Sequence, residues 1–94
     1  VLNEYSLFGE IIHLDTKRFT PAGIPVLSLK IRAESEKSEA GLKRIVNVDI
    51  ESVVIGELAN NDFKMGNKFS FFGFFDKRSK KSTHLVFHIT QIKN

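Results

Sequence analysis

The chain of 94 residues is long enough for one small domain with a modest core. Its apolar fraction of 41% and charged fraction of 27% are ordinary for a globular chain, and the lack of cysteine removes disulfides, thiolate nucleophiles and cysteine-ligated zinc together. Fourteen Lys and Arg against eleven Asp and Glu give a net charge of +3 and a pI near 9.3, which permits an anionic partner without demanding one.

In chain order, residues 4–14 alternate, with Tyr5, Leu7, Gly9 and Ile11 on the core-facing parity, and predict a half-buried strand bent at Gly9. Residues 15–20 are polar. The segment Thr20-Pro21-Ala22-Gly23-Ile24-Pro25 predicts a type II turn, and Pro25 places the start of the second strand at an edge. That strand, residues 24–34, turns Leu27, Leu29, Ile31 and Ala33 inward and leaves Val26, Ser28, Lys30 and Arg32 outside. Residues 35–42 read as the polar loop of a long hairpin. The third strand, residues 43–51, points Val46, Val48 and Ile50 inward and Lys43, Ile45, Asn47 and Asp49 outward. Lys30, Arg32, Lys43 and Asn47 are therefore expected on one outer surface.

Residues 52–60 form the one helix candidate, with Ser52 as N-cap and Val54 and Leu58 covering the core. Its β-branched run and Gly56 predict a short or irregular helix. After a turn at Met65-Gly66-Asn67 comes the stretch richest in chemistry. Residues 69–75 hold five of the nine phenylalanines on both parities around Gly73, and residues 77–81 hold Lys77, Arg78, Lys80 and Lys81 with no acid. Phe69, Phe71 and Phe87 are expected inside, with at least one of Phe72, Phe74 and Phe75 facing outward. The final strand, residues 83–92, turns Leu85, Phe87 and Ile89 inward and His84, Val86 and His88 outward.

Five strands with one short helical piece between the third and fourth predict an all-β closed barrel, and the OB-fold has this order of elements. An aromatic strand followed by a cationic loop suits the stacking of bases and the holding of phosphates. The bland alternative is a core strand and a solvated turn. The close groups Lys17-Arg18, Lys43-Arg44 and residues 77–81, set against scattered acids, match a phosphate-binding face. Catalysis has little support: no carboxylate pair, Ser-His-Asp order or P-loop is present, and His84 and His88 would stand roughly 13 Å apart along a strand. No cofactor or metal is expected.

The segment 20–25, Glu39-Ala40-Gly41 with Arg44 close behind, the Gly73 strand and residues 85–92 together resemble the primosomal replication protein N family, the small tail-less relatives of bacterial single-stranded-DNA-binding proteins. The resemblance covers nearly the whole chain as one OB-fold domain, residues 1–94. It implies a non-enzymatic homodimer that binds single-stranded DNA and assists the primosomal helicase in restarting stalled forks. Carried over by position, the DNA-binding residues are Lys17 and Arg18 in the first loop; Lys30, Arg32, Lys43, Arg44 and Asn47 around the outer face; and Lys77, Arg78, Lys80 and Lys81 in the last loop. Two positions depart from the family: Asn47 stands where some members have tryptophan, and Glu34 where they have arginine. Binding is therefore expected to lean on charge more than on stacking.

Two other functions remain in view. A general single-strand coat protein fits less well, since the chain ends at Asn94 without a linker or acidic tail. An interaction module whose basic loop takes an acidic protein partner is the other. No apolar run approaches the ~18 residues of a membrane span and no signal peptide is recognisable, so the expected location is cytoplasmic, with no membrane partner. Val26, Val54, Val86 and the surplus phenylalanines give more apolar surface than one small barrel hides, which also predicts the homodimer.

Overall fold

In the computed structural model, which describes residues 4–81 and 83–93 (without the side chains of residues 36 and 37), the barrel closes because its first strand serves two neighbours. The expectation about the chain end at Asn94 lies outside these residues. The strands are β1 (Tyr5–Leu14), β2 (Arg18–Phe19), β3 (Pro25–Glu39), β4 (Leu42–Ile55), β5 (Lys68–Lys77) and β6 (Leu85–Lys93), with one 3-10 turn at Glu57–Asn60. β1 pairs antiparallel with β5 from Tyr5 to Glu10 and with β3 from Gly9 to Leu14. β5 then pairs with β6, β6 lies parallel to β4, and β4 returns to β3, so five strands form a closed all-β barrel. The two-residue β2, which sequence reading missed, extends the sheet beside β3.

Closure needs strands that bend sharply, and two glycines sit where they do. A Cβ on Gly9 would lie 2.6 Å from Ile31 Cγ2 and 2.7 Å from the Arg32 carbonyl oxygen. On Gly73 it would lie 1.8 Å from the His88 carbonyl oxygen, beside a register shift that leaves Thr90 unpaired on β6. A second shift, between Ile11 and His13, lets β1 turn the corner. There the Ile11 N–H donates to Asn67 O (2.9 Å) and Gly66 N–H to Ile11 O (2.8 Å), sealing the corner with the 64–67 turn.

The core forms where alternation brings apolar side chains to a common centre. Phe71, Phe87, Ile11, Ile31 and Val54 are fully buried, with Leu27, Leu29 and Ile89 nearly so. Each such side chain is worth about 1.5–3 kcal/mol when withdrawn from water. Phe69 and Phe75 pack against this cluster, Phe75 with its ring 5.0 Å from Phe87.

Several local expectations are corrected. Residues 35–39 and 42 are not loop: the β3–β4 ladder continues to Glu39↔Leu42 and turns on Ala40 and Gly41, both at positive φ, as a two-residue hairpin turn requires. This hairpin outruns the barrel, so Val46 and Val48 are exposed although they lie on the inward parity. Ser52 is no N-cap. It is buried within β4, its hydroxyl donating to Ile50 O (3.3 Å), because the β-branched run 53–55 keeps the strand going. The helical piece shrinks to the 3-10 turn, with Ala59 buried and Leu58 on the core. Gly23 carries its positive φ at the fourth turn position, with its N–H donating to Thr20 O (2.8 Å), while Ala22 does not, so the turn is not type II.

Val26 is buried despite its outward parity, flanked by Arg18 on β2 and Ile55 on β4. Tyr5 and Leu85, expected inside, sit near strand ends and are 51% and 59% exposed, Tyr5 with its ring edge-on to Phe75 at 5.3 Å. The last strand begins at Leu85, two residues later than expected. Among the described residues, no helix is long and apolar enough to cross a membrane.

Candidate nucleic-acid interface

The outward residues of β3 and β4 follow from their register. Ser28 faces Val53, Lys30 faces Glu51, Arg32 faces Asp49, and Glu34 faces Asn47. At the end of this face nearest Pro25 and Ile55 lies an open groove of about 660 Å³, a size common for ligand sites. Val26, Ser28 and Val53 are among its lining residues, Arg18 and Thr20 bound it on the side of β2, Lys77 and Arg78 come from the end of β5 and the turn after it, and the acids Asp15, Glu51 and Asp76 line it with them. Val86 and His88 on β6 complete the lining.

The two loops that carry the outer cations flank this groove. Lys17 Nζ donates to Asn60 Oδ1 (3.0 Å) and stands 5.6 Å from the centroid of Phe19, whose ring is 60% exposed. Arg18 Nη1 donates to Ser28 Oγ (3.2 Å) across the groove floor. Lys77 ends β5; Lys80 and Lys81 follow in the exposed turn before β6. Arg78 starts that turn, its N–H donating to His84 O (3.0 Å) and its guanidinium paired with Glu51.

Away from the groove the cations have other surroundings. Arg32 holds Asp49 in two hydrogen bonds, Nε to Oδ1 at 2.9 Å and Nη2 to Oδ2 at 3.3 Å. Hydrogen bonding to Arg32 keeps the Asp49 carboxyl below the usual carboxylate range, and the same bond raises the Arg32 guanidinium. Lys43 sits opposite Ser38, six residues along β4 from Asp49 and so roughly 20 Å away. Arg44 is on the opposite face, paired with Glu39 (Nη1 to Oε2, 3.3 Å). The structure thus gathers Arg18, Lys30, Lys77 and Arg78 around one groove, with Lys17, Lys80 and Lys81 on its flanking loops, and separates Lys43 and Arg44 from them.

A family described as "another single-strand binding protein family" matches residues 3–91 of this chain. The replication restart protein PriB of Bordetella pertussis is 33% identical over 94 residues, covering 98% of this chain and 88% of that protein. That of Nitrosomonas europaea is 30% identical over 89 residues, covering 93% and 82%. The solved priB structure from Ralstonia solanacearum superposes with a TM-score of 0.86 at 25% identity, over 100% of this chain and 99% of that one. The chain belongs to the PriB family of single-strand binding proteins.

On this PriB-family barrel, the aromatic surface lies beside the strand face rather than at its centre. Phe74 is 36% exposed and stacks on His88, 4.9 Å between centroids and 7° between planes. Phe72 lies under Lys93 Nζ at 5.7 Å. Asn47 borders a shallow depression with Arg32, Glu34 and Asp49. Among the described residues, no cluster of three potential metal ligands occurs. Sequence reading set Asp49 and Val26 on the outer face without giving either a role at this site, and it missed Glu51 and Val53. The parity of Asp49 and Arg32 was visible; their pairing required the register.

Proposed function

We propose that this protein binds single-stranded DNA without enzymatic activity, as an accessory of the primosome that assists the replication-restart helicase. The observation that carries this reading is the groove flanked by two cationic loops, Lys17 and Arg18 on one side and Lys77, Lys80 and Lys81 on the other. Phosphates meet these side chains, while the exposed faces of Phe19 and Phe74 are available only to unpaired bases. Lys30, Arg32, Arg78, Lys43, Arg44 and Asn47 belong to the wider candidate surface. Similarity to PriB supports work on DNA, here read as taking place in the cytoplasm by a chain that is one OB-fold domain.

A homodimer completes the reading. The residues that support it differ from those expected, since Val26 and Val54 are buried within one chain and Val86 half-buried. Of the exposed apolar residues, four gather on the projecting hairpin: Leu42 and Ile45, each 70% exposed, with Val46 and Val48.

The test is fluorescence anisotropy with a labelled single strand and its duplex across a salt series. Five phosphate contacts predict a log–log salt slope of about −3.5 on the single strand. Changing Lys77, Arg78, Lys80 and Lys81 to alanine lowers affinity and flattens the slope while the melting temperature holds. Changing Lys64, Lys68 and Lys93 to alanine is the control; an equal loss there refutes the loop as a site. Preference for the duplex, or no binding to either, refutes the single-strand reading.

A further inference from the structure

The outer face of β3 and β4, which meets the groove at Lys30 and Glu51, carries cations, yet it is not a basic surface. The register sets Glu10, Arg32 and Asp49 in one row across β1, β3 and β4, with Lys30 and Glu51 in the next row and Glu34 and Asn47 in the row on the other side. Arg78 reaches Glu51 from the β5–β6 turn. Four cations, Lys30, Arg32, Arg78 and Lys68 opposite Glu10, are therefore balanced by four carboxylates, Glu10, Glu34, Asp49 and Glu51, among the described side chains. Resting on the single-strand reading above, we infer that Asp49 and Glu51 are specificity determinants that compete with phosphate for the arginines, Glu51 at the groove's edge and Asp49 beyond it, and hold a bound strand to the loop side of the groove.

The chemistry is that of one anion replacing another. A guanidinium offers the same fork of donors to carboxylate and to phosphate, and Asp49 already fills that of Arg32 with two bonds. Because Asp49 is fixed on the neighbouring strand, its effective concentration at Arg32 exceeds that of any phosphate arriving from solution. Its carboxyl stays ionised well below neutral pH through the bond from Arg32, so the competition persists at working pH. Phosphate that displaced it would still lie beside Glu10 and the freed carboxylate, and like charges repel. Glu51 does the same for Arg78, and it stands directly across from Lys30. The depression around Asn47 repeats the pattern, bordered by Glu34 and Asp49. Lys80 and Lys81 differ, since residues 77 to 81 of their turn contain no acid. A strand is therefore held at the groove end and leaves the face before the hairpin.

The experiment compares the wild-type chain with the isosteric double variant Asp49→Asn, Glu51→Gln, using labelled thymidine oligonucleotides of graded length over a salt series. A second variant, Glu57→Gln with Asp62→Asn, removes the same charge from positions off this face. Freeing two guanidiniums steepens the single-strand salt slope by about 1.4 and tightens binding about tenfold at 0.1 M salt. The shortest oligonucleotide that reaches full affinity also lengthens, because the strand now continues over the face. Equal tightening by the second variant, or no tightening while the wild type binds, overturns the inference and leaves the single-strand reading standing. Binding by neither the wild type nor the double variant refutes that reading, and this inference with it.

Discussion

Gly73→Ala is expected to be the most damaging single methyl that can be added to this barrel. The new Cβ would stand 1.8 Å from the His88 carbonyl oxygen, 2.8 Å from its carbon and 3.1 Å from Ile89 Cα, all backbone atoms that no rotamer change can move. Normal packing requires β5 and β6 to part by an ångström or more at this point. That separation costs about 1–3 kcal/mol in strain, and each ladder hydrogen bond lost adds ~0.5–1.5 kcal/mol. Alanine returns only ~0.4–1 kcal/mol by restricting the unfolded chain. The net loss is about 3 kcal/mol, a large share of the ~5–14 kcal/mol a chain of this length commands. With a urea m-value of ~1–3 kcal/mol/M, the midpoint falls by roughly 1–3 M, read by circular dichroism. Gly9→Ala loses less, because its nearest backbone atom, the Arg32 carbonyl oxygen, stands 2.7 Å away rather than 1.8 Å. A Gly73→Ala midpoint within about 0.3 M of wild type would refute the account of why this strand carries glycine.

Asn47→Trp is expected to leave affinity unchanged in the wild-type background, since Glu34 and Asp49 border its depression. In the Asp49→Asn, Glu51→Gln background the same change adds stacking, worth ~1–3 kcal/mol per base, measurable by anisotropy. The Arg32–Asp49 pair makes an acid-sensitive contribution to stability. Asp49 titrates lower in the folded chain, so its contribution is present above the ordinary aspartate value of ~3.9 and is lost as pH falls through the folded value. Urea midpoints of wild type and Asp49→Asn therefore differ slightly at neutral pH and converge in acid. Both groups are largely exposed, so added salt also shrinks the difference. Sedimentation at tens of micromolar is expected to give a dimer, and Val48→Lys to shift it toward monomer.

The inward residues Leu27, Leu29 and Ile31 were readable because a strand with one wet face writes alternation into its sequence. The two bends were readable at Gly9 and Gly73, where a residue without a side chain interrupts an apolar strand. The length of the β3–β4 hairpin was not readable. Residues 35–39 are polar on both parities, since neither face of a strand beyond the barrel meets a core, and a backbone ladder leaves no trace in side-chain pattern. The same projection exposes Val46 and Val48, whose spacing mimics a buried strand. Segment 52–55 was legible in principle: three successive β-branched residues favour a strand over the helix suggested by Ser52. For the candidate site, the clusters Lys17-Arg18 and 77–81 were visible because the cations are adjacent in sequence. The neutralisation of Arg32 by Asp49 was hidden, as the partners are brought together only by a register that no local pattern specifies.

The dual pairing of β1 also determines when the groove can exist. Tyr5 must find Gly73, and Ser52 must find Phe87, before the sheet meets itself. Contacts this distant in sequence place folding in the slower range for small domains, roughly milliseconds to seconds. The groove takes its lining from all six strands and the links between them, so no partially assembled sheet presents it. A ligand held there binds only the closed barrel, and at a hundredfold excess over its Kd would deepen the native well by about 2.7 kcal/mol. Occupancy of the groove is thus a direct report on barrel closure, and the gain in thermal stability on adding a short oligonucleotide measures both at once.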